Sequence, residues 1–189
     1  MPDPQSEQTG VTSPRDSLGQ CHRCIAGLLD RLEALASELA AVPTPPPAGL
    51  SGRAGALVAE IDEAINVHVV DEETDIFPAV LAASDSPAHR GQSFELVSSL
   101  LVEHRELAEL WHALRIPLLA LAGGVLVAFP GGTSADFLAR MRRHLERESV
   151  ELAELMGTVD PSRSKAIAIS IAHRHDEACP RVKNCPLKP

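Results

Sequence analysis

Four histidines and two glutamates stand where apolar helix faces should continue. His22 lies between Leu18 and Ile25, and His68 and Glu72 lie between Ile65 and Ile76. His104 lies between Leu100 and Leu107, and His144 and Glu148 between Met141 and Leu152. The series 65-68-72-76 and 141-144-148-152 keep the 3,4,4 rhythm of one inward helix face. An ionised carboxylate in a dry core costs several kcal/mol unless it is paired or bound to a metal. Within each His-x-x-x-Glu pair the residues are one turn apart, about 5 to 6 Å, near enough to share a metal centre. Imidazole and carboxylate without thiolate suit iron or manganese at two adjacent positions, with carboxylates bridging. A zinc site ordinarily needs three or four ligands.

Taken singly, each residue has a plainer explanation. A histidine on an apolar stripe is ordinarily a hydrogen-bonded core residue. A buried glutamate ordinarily pairs with arginine near a helix end, and Arg142, Arg143 and Arg147 are close in sequence. Six such residues, divided one, two, one, two among successive helices and all facing inward, have no comparable structural explanation. His22, His68, Glu72, His104, His144 and Glu148 are therefore read as metal ligands.

The elements that must position them are helical, since no stretch alternates as a strand does. Helices are expected over about 17–41, 53–83, 86–123 and 134–156, with a shorter fifth from about 160 to 178. The proline-rich linker 42–52 ends the first, and Pro78 should bend or end the second near Phe77. Pro117 should kink the third, and Ser134 is a plausible N-cap for the fourth. The expected fold is all-α: an up-down-up-down four-helix bundle over 17–157, a disordered segment over 1–16, and a C-terminal helix with a cysteine-containing tail over 158–189. His22 then stands about 28 Å below the first linker and His68/Glu72 about 25 Å below it, at about 1.5 Å per residue. The path from His104 to His144 is longer on the third-helix side, so Pro117 or the glycine turn must fold back.

Composition narrows the function classes. The chain has 189 residues and a formal charge of −9, with 3% aromatic residues, one Trp and no Tyr. It offers neither the basic footprint nor the stacking platform of a nucleic-acid binder. The longest apolar run, 116–129, contains Pro117 and Gly123–Gly124 and is shorter than the about 20 residues of a membrane span. Residues 1–17 lack the apolar core of an export signal, and four cysteines are too few for a disulfide scaffold of this size. A cytoplasmic protein is expected.

The run His68-Val-Val-Asp-Glu72-Glu-Thr-Asp-Ile-Phe-Pro78, then Glu103-His104-Arg-Glu-Leu107, then His144-Leu-Glu-Arg-Glu148, preceded by His22, resembles the hemerythrin-like (HHE) cation-binding domain over about 17–156. That resemblance implies a four-helix bundle around a non-haem di-iron centre, two irons with an oxo or hydroxo bridge. His22 and His68 would serve one iron and His104 and His144 the other, with Glu72 and Glu148 bridging. Oxygen-carrying hemerythrins have His-x-x-x-His on the third helix, whereas His104 is followed four residues on by Ala108. They also use an aspartate, at a different spacing, where this chain has Glu148. One nitrogen ligand fewer leaves more positions for solvent, dioxygen, nitric oxide or peroxide, which favours sensing or redox chemistry over oxygen storage. Ferritin-like proteins use Glu-x-x-His, and the order here disfavours that class. The expected function is a di-iron protein that binds O2 or NO or senses oxygen, redox or iron status. The alternative is an enzyme that decomposes peroxide or donates iron for iron–sulfur cluster repair. A third reading is a metal-free helical adaptor.

The other histidines and the cysteines are read as follows. His112 lies about 80° round the helix from His104 and belongs to a surface or boundary. His89 is solvated at a helix start, and His173 and His175 are candidates for a separate site. Cys21 and Cys24 flank His22 and turn away from the axis by about 100° to 160°. They are reduced thiols, or else partners of Cys179 and Cys185 in disulfides or a thiolate metal site.

Overall fold

A computed structural model describes residues 13–41, 48–84, 86–125 and 128–178. The expectations for residues 1–12, for the middle of the linker and for the tail with Cys179 and Cys185 lie outside the described residues. The elements are α1 (Pro14–Ala41), α2 (Ala48–Asp71), a π-helical turn (Glu72–Ile76), α3 (Phe77–Ala83), α4 (Pro87–Ala122), α5 (Gly131–Arg147), a second π-helical turn (Glu148–Leu152), α6 (Ala153–Met156) and α7 (Pro161–Ala178). No strand occurs among the described residues.

Local chemistry sets the ends. The Asp16 N–H donates to the Ser13 hydroxyl at 3.1 Å, that hydroxyl donates to the Asp16 carboxylate at 2.7 Å, and Pro14 takes the first helical position. This capping arrangement starts α1 three residues before the expected Ser17. The helix α4 begins on the Ser86 side chain, which accepts the His89 N–H at 3.2 Å. It runs through Pro117 to Ala122. Gly124, at φ +78°, then closes it, with the Val125 N–H returning to the Ala120 carbonyl. A left-handed residue just past a helix end favours glycine. The fourth bundle helix starts at Gly131 with Pro130 as its cap, so Ser134 is buried inside the first turn and does not cap it.

These starts correct the length arithmetic. From Ala48 down to His68 is about 30 Å, which matches the about 28 Å from His22 to the end of α1. His104 to Ala122 spans about 27 Å and Gly131 to His144 about 20 Å. The helix α4 runs on through Pro117 to Ala122 and does not fold back there.

The helix α1 packs on α2 and α5, and α4 packs on α2 and α5. Their inward faces make two apolar clusters. One holds Ile25, Leu29, Leu32, Leu57, Ile61, Trp111, Leu114, Phe137 and Met141. The other holds Leu18, Ile76, Phe77, Val80, Val97, Leu100, Leu152 and, from α7, Ile167 and Ile171. The helix α7 also touches α1, α2 and the first π turn. Its N-terminus is capped by Asp160, which accepts the Ser162 N–H at 2.6 Å.

Ile171 is 1% exposed within the second cluster. Ile171→Ala should therefore cost about 2–4 kcal/mol in denaturant unfolding. A loss under about 0.5 kcal/mol, the range of neutral surface changes, would show α7 to be an appendage.

Candidate metal centre

Between the two apolar clusters lies a polar layer. His22, His68, Glu72, His104, His144 and Glu148 are all buried, and His68, Glu72 and Glu148 have no measurable exposure. The structure brings all six sequence-predicted residues together. The ligand atoms of His22, His68, Glu72 and Glu148 lie within 4.8 Å of one another, and so do those of Glu72, His104, His144 and Glu148. The two sets share both carboxylates.

Glu148 divides its oxygens between the sets. Its Oε2 lies 3.1 Å from His22 Nε2 and 3.3 Å from His68 Nε2, while its Oε1 lies 2.7 Å from His144 Nε2 and 3.7 Å from His104 Nε2. Glu72 Oε2 stands between the sets, 3.2 Å from His104 Nε2 and 3.7 Å from His68 Nε2. Ligands about 2.1 Å from a cation stand about 3 Å apart when they subtend a right angle. These short approaches are not hydrogen bonds: the inward nitrogens of all four histidines and every oxygen of Glu72 and Glu148 lack an aligned partner. Buried polar groups without partners are rare and need an explanation. A shared cation supplies one, and the donor set fits it.

The outer edges of the rings fix which nitrogen faces inward. His104 Nδ1 donates to Glu73 Oε1 at 2.8 Å, and His144 Nδ1 donates to Glu103 Oε2 at 2.9 Å. His22 Nδ1 stands 2.9 Å from the Ser149 hydroxyl, whose proton is given to the Leu145 carbonyl at 2.8 Å. The hydroxyl therefore accepts from His22. With Nδ1 carrying the proton, a neutral ring turns the Nε2 lone pair inward, as metal ligation needs. The His104 ring also stacks on Phe77, centroids 5.8 Å apart.

Both π turns begin at the shared carboxylates, with the Phe77 N–H reaching the Glu72 carbonyl and the Ala153 N–H the Glu148 carbonyl. Such turns recur at functional sites. The first also carries the chain past Pro78, whose ring would clash with the Thr74 carbonyl in a regular α-helix. The helix therefore continues to Ala83 and does not stop near Phe77.

Without a metal the site holds protons. Burial pushes the Glu72 carboxyl up to about 7, aided by Glu148 and opposed by His68 and His104. Burial would also raise Glu148, but His68, His104, His144 and His22 together hold it well below the carboxylate range. His104 is pulled down by burial yet raised to about 10 by Glu148, Glu72 and Glu73. His68 is likewise pulled down by burial and raised well above its ordinary value by Glu72 and Glu148, with a smaller contribution from Cys21. Burial lowers His22.

Sequence reasoning missed Glu73, Glu103 and Ser149. Their only signal was adjacency, each standing next to a ligand. Cys21 was expected to face away from the axis; it is buried in the first apolar cluster and borders His68. Cys24 is half-buried against the same cluster. Arg142 binds Asp30 and Glu33, and Arg147 binds Glu103 and Glu151, so neither neutralises Glu148. His112, His89 and His173 are exposed. His175 is buried and stands 2.6 Å from Asp71, which Arg174 also binds; Arg174 reaches Asp75 at 2.6 Å as well. Through these contacts α7 grips both sides of Glu72.

Glu103→Gln removes the charge that orients His144 and Arg147 while keeping the side chain's shape. It should weaken metal binding by about 10–100-fold with little change in fold, read by chelator competition. Unaltered affinity would leave Glu103 a surface charge only.

Fold and site define a helical bundle whose buried waist is a metal-capable layer of imidazoles and carboxylates. Residues 13–156 match the hemerythrin HHE cation binding domain, and the chain belongs to that family. No curated protein and no solved structure matches it. The match ends before α7. Among the described residues no helix is long and apolar enough to cross a membrane.

Proposed function

We propose that this protein is a cytoplasmic non-haem di-iron protein of the hemerythrin-like type, an up-down-up-down bundle that binds O2 or NO or senses oxygen, redox or iron status. The observation that supports it most is the division of Glu148, one oxygen toward each histidine pair. His22 and His68 would hold one iron and His104 and His144 the other, with Glu72 and Glu148 common to both. An iron pair would supply reversible redox chemistry and open positions for a diatomic molecule or peroxide. The chain's own residues supply the rest. Nδ1 contacts orient three imidazoles, the two apolar clusters exclude water, and Glu72 can hold a proton near neutrality in the metal-free site.

A second reading, an enzyme acting on peroxide or donating iron for cluster repair, draws support from a pocket of about 300 Å³ that reaches His68, His104 and His144. Metal analysis of freshly purified protein, with visible spectra under anaerobic and aerated conditions, tests both. Two irons per chain with the charge-transfer bands of a bridged ferric pair are expected. One zinc, or no metal and no effect of chelator on melting, would overturn the proposal. A stable spectral change on oxygenation favours the binder, and sustained O2 release from added peroxide favours the enzyme.

A further inference from the structure

The segment Asp71-Glu72-Glu73-Thr74-Asp75 places four carboxylates in five residues, on the turn that presents one of the two shared ligands. Like charges four residues apart on a helix repel, and Asp71 and Asp75 have that spacing, on either side of Glu72. Such a turn keeps one geometry only if each charge has its own partner. Glu72 faces the histidines of the metal-capable layer, and Glu73 accepts from His104. For Asp71 and Asp75, among the described residues, every ion pair comes from α7.

The contacts form a clamp. Arg174 spans the two carboxylates, with Nη1 on Asp71 and Nη2 on Asp75 at 2.6 Å. His175 Nε2 meets the other oxygen of Asp71 at 2.6 Å, and the Ser170 hydroxyl donates to Asp75 at 3.1 Å. Asp71 and His175 are 4% and 1% exposed, so solvent and salt screen this pair far less than a surface one. On α7 the residues Ile167, Ile171 and His175 recur every four positions, with Ser170 and Arg174 on the adjoining row. Ile167 and Ile171 belong to the apolar cluster that holds Ile76 and Phe77, the residues directly after Asp75. The first π turn is thus held at its start through Asp71 and at its end through Asp75. The second is secured within the bundle, where Arg147 pairs with Glu151 and with Glu103 of α4. The bundle steadies Glu148 by itself and leaves Glu72 to a helix that lies beyond the family match.

We propose that Arg174 and His175 are positioning residues of the metal centre. Through Asp71 and Asp75 they hold the turn that presents Glu72, so docking of α7 and binding of metal strengthen each other. The proposal deepens the di-iron reading by adding a control on the same site, and it rests on that reading for the metal that Glu72 meets. Contacts that orient a ligand indirectly are typically worth 10–100-fold in metal affinity, and linkage makes the coupling equal in both directions.

The test is anaerobic competition for ferrous ion between the full chain and a chelator, at a temperature where calorimetry shows every variant folded. Arg174→Gln should weaken binding by about tenfold or more. Adding Asp75→Asn should recover part of that loss, because the carboxylate left without its cation is then gone. Lys165→Gln removes a charge from the exposed side of the same helix and should leave affinity unchanged. Ile171→Ala loosens the packing of α7 but keeps both ion pairs, so it should lower the melting temperature with a far smaller change in affinity than Arg174→Gln. In the unaltered protein, ferrous loading should slow amide exchange along α7, and Arg174→Gln should abolish that difference. Full affinity in Arg174→Gln overturns the proposal, as does a loss that merely follows melting temperature across Arg174→Gln and Ile171→Ala alike. Exchange along α7 that is the same with and without ferrous ion also overturns it. Any of these with ferrous ion bound refutes this inference alone, whereas an unaltered protein that takes up no ferrous ion refutes the di-iron reading along with it.

Discussion

Glu148→Ala should strip both halves of the metal centre at once, whereas loss of one histidine should empty mainly its own half. Glu148 approaches the inward nitrogens of all four histidines, and its two oxygens face different pairs. Each histidine, by contrast, belongs to only one of the two ligand sets. Removing an orienting contact to a ligand typically costs 10–100-fold in affinity, and removing a shared ligand should cost more than about 100-fold. The metal-bound protein should lose the stabilisation that binding gives it, because metal affinity is folding free energy when the unfolded chain has no site. The variant has a second penalty without metal. His68 and His104 are raised partly by Glu148, and without it their charges face one another with only Glu72 between them. Metal content and calorimetric melting with and without chelator read both effects. Glu148→Ala with full metal content and unchanged melting would falsify the shared-ligand assignment. His22→Ala separates the alternatives further. About half of the metal should remain if the two sets are distinct, and all of it should go if they act as one unit.

How much of this was legible depended on which physical signal each residue carries in one dimension. The six polar residues of the waist were legible because a buried histidine or glutamate interrupts an apolar stripe, and the interruption recurs in four helices at matching heights. The apolar faces flanking them are legible in the same way, as at Leu100 and Leu107, both buried. The π turns were not read. A wide turn adds a residue and slips the helix phase, so neighbours Ile76 and Phe77 are both buried, as are Leu152 and Ala153. Adjacent apolar pairs do not mark such a turn in the sequence, since Leu28/Leu29 and Leu57/Val58 are buried alike within regular helix. A regular helix before Pro78 would have to bend or end there, and the π turn lets it continue to Ala83.

The contacts around the rings were beyond sequence for a different reason. Glu73 and Glu103 keep 41% and 28% side-chain exposure, so each looks like an ordinary solvated charge in its own helix. Glu103 orients His144, from a helix 41 residues away in the chain. The role of α7 was hidden likewise. Its two inward isoleucines are too few to declare a face, and Arg174 and His175 acquire meaning only opposite Asp71 and Asp75. The start of α1 is legible in Ser13-Pro14-Arg15-Asp16, which carries its own cap.

In the metal-free protein, raising the pH from about 6.5 to about 10 should lower stability by a few kcal/mol, one pKa unit being worth about 1.4 kcal/mol. His104 is raised from 6.5 to about 10, and His68 is raised well above 6.5, so the folded chain holds protons that the unfolded chain has released. Their contribution is complete below the unfolded value and disappears as the pH climbs through the folded one. Glu72, raised from 4.5 to about 7, acts in the same direction at lower pH, so its share falls between those values. Glu148 acts oppositely. Its lowered value gives stability that is present above 4.5 and is lost only in stronger acid. His22, lowered from 6.5, gives a contribution lost as the pH drops through 6.5, which partly offsets Glu72 there. Metal reverses the trend in the upper window. His68, His104 and Glu72 must give up their protons to coordinate, so loading should release protons and apparent metal affinity should rise with pH. The melting temperatures of loaded and stripped protein should therefore diverge between about pH 6.5 and 10, the stripped form descending. Calorimetry across that range, with proton release measured during loading in weakly buffered solution, decides the matter. A stripped form whose stability stays level or climbs over this range, together with loading that releases no protons, would mean that His68 and His104 do not share their charge with the buried carboxylates.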